Sequence, residues 1–135
     1  MERTLVLIKP DAVERRLIGQ IIAIYESKGL EIAALKMLTP SREITENHYI
    51  EHKDKPFFGE LVEFLTRGKL CALIIEGNNA IKTVRKINGA TDPAEAETGT
   101  IRGRFALIKS ENLVHASDSA ESAAREIKIW FPEIG

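Results

Sequence analysis

The chain has 135 residues, 19 basic against 20 acidic, for a formal charge of −1. That length suits one domain with one core, and the even charge removes the overall positive field that non-specific nucleic-acid binding relies on, so any anion site must be local. A lone cysteine excludes an intramolecular disulfide, and Cys71, inside the apolar stretch LCALII, reads as a small buried residue rather than a metal ligand.

The N-terminal MERTLVLIKPD carries charge on both sides of a short apolar run and lacks the long apolar centre of a signal peptide. No later run approaches membrane-spanning length, so cytoplasmic residence is the default expectation. TLVLI at 4–8 is a buried-strand pattern that stops at Lys9-Pro10, where proline cannot continue a ladder. From Asp11 the pattern turns helical, with Ile18, Ile21, Ile22 and Tyr25 on one face and Gly29 as the stop. LEIAALKML at 30–38 alternates as a second strand. Thr39-Pro40 is then expected to open a helix, Thr39 capping and Pro40 at its first position, that carries His48, Tyr49 and His52. After Lys55-Pro56, FFGELVEFLTRG sets Leu61, Phe64 and Leu65 on one helical face and hands over at Gly68 to the strand LCALIIEG. Asn78 or Asn79 can cap the next helix, AIKTVRKI, whose Ile81, Val84 and Ile87 leave Lys82, Arg85 and Lys86 on other azimuths. NGATDPAEAETG reads as loop and GTIRGR as a basic turn. A strand-like LVH at 113–115 precedes a final helix, SAESAAREIKIWF, which Asp118 and Glu121 could open as a capping box. This alternation predicts one α+β sandwich over 1–135, a four-stranded, largely antiparallel sheet covered by helices.

Chemistry concentrates in NLVHASDS, which puts Asn112, His115, Ser117, Asp118 and Ser119 within eight residues of one another just after the basic turn. Neutral imidazole can attack phosphorus, and neighbouring hydroxyl and amide groups can orient the ring without blocking it. Neither GxxxxGK[ST] nor GxGxxG occurs, so side chains rather than a glycine loop must supply charge to phosphate. Lys9, Arg85 and Arg102 come from three separate segments and are expected to converge there, arginine forks matching phosphate oxygens as ammonium does not.

IKPDAV, HYIEHKDKPFF, GTIRG and NLVHASDS resemble, in this order, the motifs of nucleoside diphosphate kinases, and the similarity runs from Glu2 to about Phe131. The resemblance implies a ferredoxin-like sandwich and a ping-pong enzyme that moves the γ-phosphate of a nucleoside triphosphate onto a nucleoside diphosphate through a phosphohistidine at His115. Glu126 matches the glutamate that orients the ring; Ser117 matches the motif serine, bonded to Glu126 or to the phosphate, or else acting as a helix cap; Tyr49 matches the tyrosine near the ring. Lys9 and Asn112 match the residues that reach phosphate and sugar, Arg85, Thr91 and Arg102 those that clamp the β- and γ-phosphates, and Phe57 the aromatic on which any base stacks. Phe58 is expected in the core. His48 is left without a role and His52 with at most a weak one, while Asp118 stays open between capping and a water-mediated contact to metal. Mg²⁺ is implied as a passenger on the nucleotide phosphates, with no direct protein ligand. A homo-oligomer, tetramer or hexamer, is implied too, its contacts involving the loop 89–100 around Pro93. Neither a membrane nor a specific nucleic acid is an expected partner.

Three departures from the family pattern stand out: Ala116 where glycine is common, Arg104 in place of an acid, and Lys109 where an apolar residue usually faces the base. Ala116 is tolerable only at negative φ. The competing expectation from another class is a catalytically silent nucleotide-binding regulatory module of the same fold.

Overall fold

The computed structural model describes residues 1–134. Four strands, β1 (Glu2–Ile8), β2 (Glu31–Leu38), β3 (Leu70–Gly77) and β4 (Val114–Ala116), form one antiparallel sheet in the order β2-β3-β1-β4. The helices are α1 (Pro10–Glu14), α2 (Ile18–Ser27), α3 (Arg42–His48), α4 (Phe58–Thr66), α5 (Ala80–Asn88), α6 (Ile101–Phe105) and α7 (Ala120–Trp130). The predicted α+β sandwich is the observed fold. None of these helices is long and apolar enough to cross a membrane.

Where one core was expected there are two apolar layers, one on each face of the sheet. Val6, Ile8, Leu73 and Ile75 pack with Ile21, Tyr25 and Val84 on one side; Leu5, Leu7, Ile74 and Leu70 pack with Leu65, Trp130 and Phe131 on the other. The pleat explains the split, because alternate residues of the central strands point to opposite faces and both faces are covered. At roughly 1.5–3 kcal/mol for each large apolar side chain removed from water, these layers outweigh an exposed ion pair such as Arg42–Glu46, worth at most about 1 kcal/mol.

Registration places the catalytic candidate. β4 pairs with β1 so that Leu7 stands opposite His115, while Val6 and Ile8 stand opposite Ala116 and Val114. Cross-strand partners share a face. His115 therefore emerges on the Leu5–Leu7 side, beneath α7, while its neighbours Val114 and Ala116 enter the other layer.

Several local expectations are corrected. The helix read from Asp11 is two helices, broken where Arg16 turns to φ 61°. The helix expected at Thr39-Pro40 begins at Arg42, because Ser41 Oγ accepts the Ile44 N–H at 3.1 Å while Pro40 is buried. It ends at His48, and His52 lies in a separate 3₁₀ turn, Ile50–His52. The cap of α7 is Ser119, whose Oγ accepts the Ser122 N–H at 3.1 Å, and not Asp118. Neither Asn78 nor Asn79 caps α5 through its side chain; Asn79 is left-handed, φ 52°, and the Glu2 carboxylate accepts the Ile81 N–H at 2.9 Å instead. Along α4, Val62 and Leu65 are buried, whereas Leu61 and Phe64 are half-buried and turn to a cavity. Phe58 is half-buried and joins neither layer.

GTIRGR, expected as a turn, contains α6. Thr100 Oγ1 accepts the Gly103 N–H at 3.0 Å, and Gly103 lies so close to the preceding loop that a Cβ there would stand 1.8 Å from the Glu97 carbonyl oxygen. Pro93, buried, opens a 3₁₀ turn, Pro93–Glu95, in which Asp92 accepts the Ala94 N–H.

Candidate active site

A cavity of about 1050 Å³ opens between the β1–β4 end of the sheet, α3, α4 and the 105–112 segment. Within its lining stand Lys9, Tyr49, Phe57, Arg85, Thr91, Arg102, Asn112, His115 and Glu126. Every candidate named from sequence faces this space except Ser117, which is fully buried behind Glu126.

The ring of His115 is held from behind. Its Nε2 lies 2.8 Å from Glu126 Oε1, which also accepts the Ser117 hydroxyl proton at 2.8 Å. Ser117 is itself fixed, its oxygen accepting the Leu5 N–H at 3.3 Å, so it serves Glu126 and the β1 edge rather than capping a helix. Glu126 is 5 % exposed and sits two turns into α7 from Ser119. An ionised carboxylate accepts only. In a neutral ring this contact puts the imidazole proton on Nε2 and leaves the lone pair on Nδ1.

On the other flank the polar groups form a chain. Lys9 Nζ donates to Asn112 Oδ1 at 2.5 Å, and Asn112 Nδ2 donates to the Thr91 carbonyl at 2.9 Å. Burial lowers the Lys9 pKa to about 8, Asp11 opposing the shift and Arg102 adding to it. Between Asn112 and β4, Leu113 adopts φ 75°, an orientation that costs a non-glycine residue about 1–3 kcal/mol. Two contacts hold it there: the Asp11 carboxylate accepts the Leu113 N–H at 3.0 Å, and the Lys9 N–H donates to its carbonyl at 2.9 Å. Asp11 was not singled out from sequence, where the acid after Lys-Pro looks like an ordinary first-turn residue.

The two arginines differ. Arg102 is 8 % exposed and donates to three backbone carbonyls, Asn112 at 3.2 Å, Gly89 at 2.8 Å and Val114 at 2.5 Å. Arg85 is exposed and makes one contact, to the Ala116 carbonyl at 3.3 Å. Arg102 is thus a fixed cation at the cavity wall, and Arg85 is free to follow a ligand.

From His115 outward runs a row of rings: His48 at 4.5 Å between centroids, then Tyr49 at 4.8 Å, His52 at 6.4 Å and Phe57 at 5.7 Å. Burial, then the Glu126 charge, pushes the Tyr49 phenol up to about 12, so it remains a proton donor. Phe57 is 42 % exposed at the mouth, with exposed Lys109 also in the lining. Of the departures, Ala116 has no positive φ, so its methyl is accommodated in the apolar layer. Arg104 stacks on Phe105, 4.8 Å to the centroid, and is not part of the cavity wall.

One group of potential metal ligands occurs among the described residues: His48, His115 and Glu126, with ligand atoms within 4.8 Å of one another. Two imidazoles and one carboxylate do not suit Mg²⁺, which takes oxygen ligands in octahedral geometry. Sequence reasoning left His48 aside; its burial beneath Trp130, 82 residues away, left no local signal.

Residues 2–134 match the family described as Nucleoside diphosphate kinase. A nucleoside diphosphate kinase of Clostridium perfringens is 58 % identical over 134 residues, covering 99 % of this chain and 94 % of its own. One of Mycobacterium tuberculosis is 61 % identical over 132 residues, covering 97 % of each. The crystal structure of a nucleoside diphosphate kinase family protein from Babesia bovis superposes with a TM-score of 0.96 at 50 % identity, over 98 % of this chain and 90 % of that one.

Proposed function

The chain belongs to the nucleoside diphosphate kinase family, and we propose that it carries out this phosphotransfer in two half-reactions through a phosphohistidine at His115. The single observation behind this reading is the bond between His115 Nε2 and Glu126, which leaves Nδ1 as the nucleophile of a ring that lines the cavity together with Lys9, Arg85 and Arg102. Nδ1 attacks the γ-phosphorus of a nucleoside triphosphate; a P–N bond forms as the bond to the β-phosphate oxygen breaks, and the electron pair leaves with the diphosphate. Glu126 balances the positive charge the ring acquires. A terminal oxygen of the incoming diphosphate then attacks the same phosphorus, returning the pair to Nδ1.

Arg102, already fixed by backbone carbonyls, and the exposed Arg85 offset charge on the equatorial oxygens, with Thr91 in the same lining. Lys9 and Asn112 present one joined donor set to phosphate and sugar hydroxyl. Tyr49 donates from the ring row, and the base stacks on Phe57, which offers a π-face and so accepts any base. Mg²⁺ is read as a passenger on the nucleotide phosphates, with Asp118, in the cavity lining, as its contact through water. When bound, the ion neutralises phosphate charge; every other contact comes from the chain. The reading includes one domain, homo-oligomeric assembly as tetramer or hexamer, and a cytoplasmic setting, to which the free buried thiol of Cys71 is suited.

The test is incubation with γ-labelled ATP and Mg²⁺. An acid-labile phosphoprotein that discharges onto any nucleoside diphosphate is expected from the wild type and no label from His115→Ala; label persisting in that variant would sink the assignment.

A further inference from the structure

We propose that His48 is a positioning residue for phosphoryl transfer: a second imidazole whose tautomer Trp130 fixes, so that it neither competes for the phosphate nor draws the Nε2 proton of His115 away from Glu126. The inference rests on the reading of His115 as nucleophile, but the state of His48 is decided by its own contacts.

Of the three imidazoles lining the cavity, those of His48 and His115 stand side by side, centroids 4.5 Å apart and planes at 80°. One nitrogen of each and a Glu126 oxygen lie within 4.8 Å of one another. Chemically the two rings are equivalent nucleophiles, so something must distinguish them. The indole Nε1–H of Trp130, which can only donate, points at His48 Nδ1 from 3.1 Å. His48 Nδ1 must therefore present its lone pair to Trp130, and the proton of the neutral ring must sit on Nε2. Neither nitrogen then has a pair free for phosphorus.

The opposite tautomer would turn an Nε2 lone pair toward a cavity where His115 Nε2–H has a single partner, Glu126. Shared between two acceptors, that proton would no longer define which nitrogen of His115 attacks. A charged His48 fails as well, since it would set two N–H groups against each other at the Trp130 contact. Trp130 is 1 % exposed and wedged against the Leu5–Leu7 layer, so it cannot swing away without emptying core volume. His48 is 4 % exposed. The groups facing it are His115, Arg125, Lys9 and His52, together with the phenol of Tyr49 and the Glu126 carboxylate. Burial first, then those four cationic or ionisable bases, hold His48 uncharged well below the usual histidine range.

The experiment is nitrogen-15 NMR of the histidine rings in the intact protein, from roughly pH 5.5 to 8, around the ordinary histidine value. His48 is expected to show a bare Nδ1 and a protonated Nε2 throughout, without titration. A protonated Nδ1, or a titration near the ordinary histidine value of about 6.5, overturns the proposal. Trp130→Phe keeps most of the core volume and removes the donor. In that variant the ring stays buried and uncharged but should populate both tautomers, seen as averaged ring-nitrogen shifts, and kcat/KM should fall several-fold at every pH in the range. Adding His48→Gln, which presents a fixed amide N–H in place of a tautomerising ring, should recover part of that loss. A Trp130→Phe protein with the wild-type profile and a single His48 tautomer contradicts the idea. Label persisting in His115→Ala would instead remove the nucleophile assignment, while leaving the His48 result readable.

Discussion

The two ends of the cavity are built differently. Around His115 the charged and amide groups are bonded within the protein: Glu126 takes two donors, Arg102 gives to three carbonyls, and Lys9, Asn112 and Thr91 are bonded in series. At the mouth, Phe57 and Lys109 are exposed. The inner end can be precise because its groups are held before any ligand arrives, and preorganised charge needs no rearrangement as the reaction proceeds. The outer end supplies an aromatic face and little else, which suits a site that must not discriminate among bases.

If that contrast holds, disturbing the inner end should harm turnover far more than disturbing the mouth. The largest effect is expected at Arg102: Arg102→Ala should lower kcat by about 10²–10³ and also the melting temperature, since three carbonyls lose a donor. Steady-state kinetics beside a thermal melt would separate the two, and an unchanged melt would show that the backbone contacts contribute nothing. Asp11→Ala comes next. It removes the acceptor that holds Leu113 at φ 75°, so stability should fall by about 1–3 kcal/mol in urea unfolding, whereas Asp11→Asn, which keeps an oxygen acceptor, should recover most of it.

Lys9 gives a pH test. With its pKa lowered to about 8, the free enzyme loses this cation as pH rises through that value. Its kcat/KM should therefore fall on the alkaline side by up to about tenfold per pH unit, since this ratio reports free-enzyme ionisations. The same shift has a stability sign: a lysine with a lowered folded pKa contributes fully above its unfolded value, 10.5, and that contribution is lost as pH falls toward 8. Phe57→Ala should weaken nucleotide binding by about 1–3 kcal/mol while leaving the rate of His115 phosphorylation at saturation. Smallest of all, Lys109→Val should change KM by less than about fivefold, because an exposed stem packing on a base is the most it can lose. A larger loss would give the mouth a specific polar contact and weaken the contrast.

Sequence reading reached the inner end through motif and the fold through periodicity, but not the partners that couple them. The run TLVLI before Lys9-Pro10 marks a strand end unambiguously, and β1 ends at Ile8. Periodicity reports which residues share a face, not what will cover it, so Leu61 and Phe64 were read with Leu65 although they turn to the cavity. Where two residues within a position or two of each other can both cap, as at Thr39 and Ser41 or Asp118 and Ser119, the residue type does not decide between them. Contacts such as Glu2 to the Ile81 N–H or Trp130 to His48 join positions about eighty residues apart and leave no local trace.

Gly103 touches neither phosphate nor base, yet the space for even one methyl group beside it is filled by the Glu97 carbonyl oxygen. Gly19 and Gly59, by contrast, face open room. In a survey of every single replacement scored by growth, position 103 would therefore tolerate as little as the nucleophile itself, for any added carbon would push α6 off its loop and carry Arg102 with it. Intolerance to change at that position would mark the lack of room for a side chain, not a part in the chemistry.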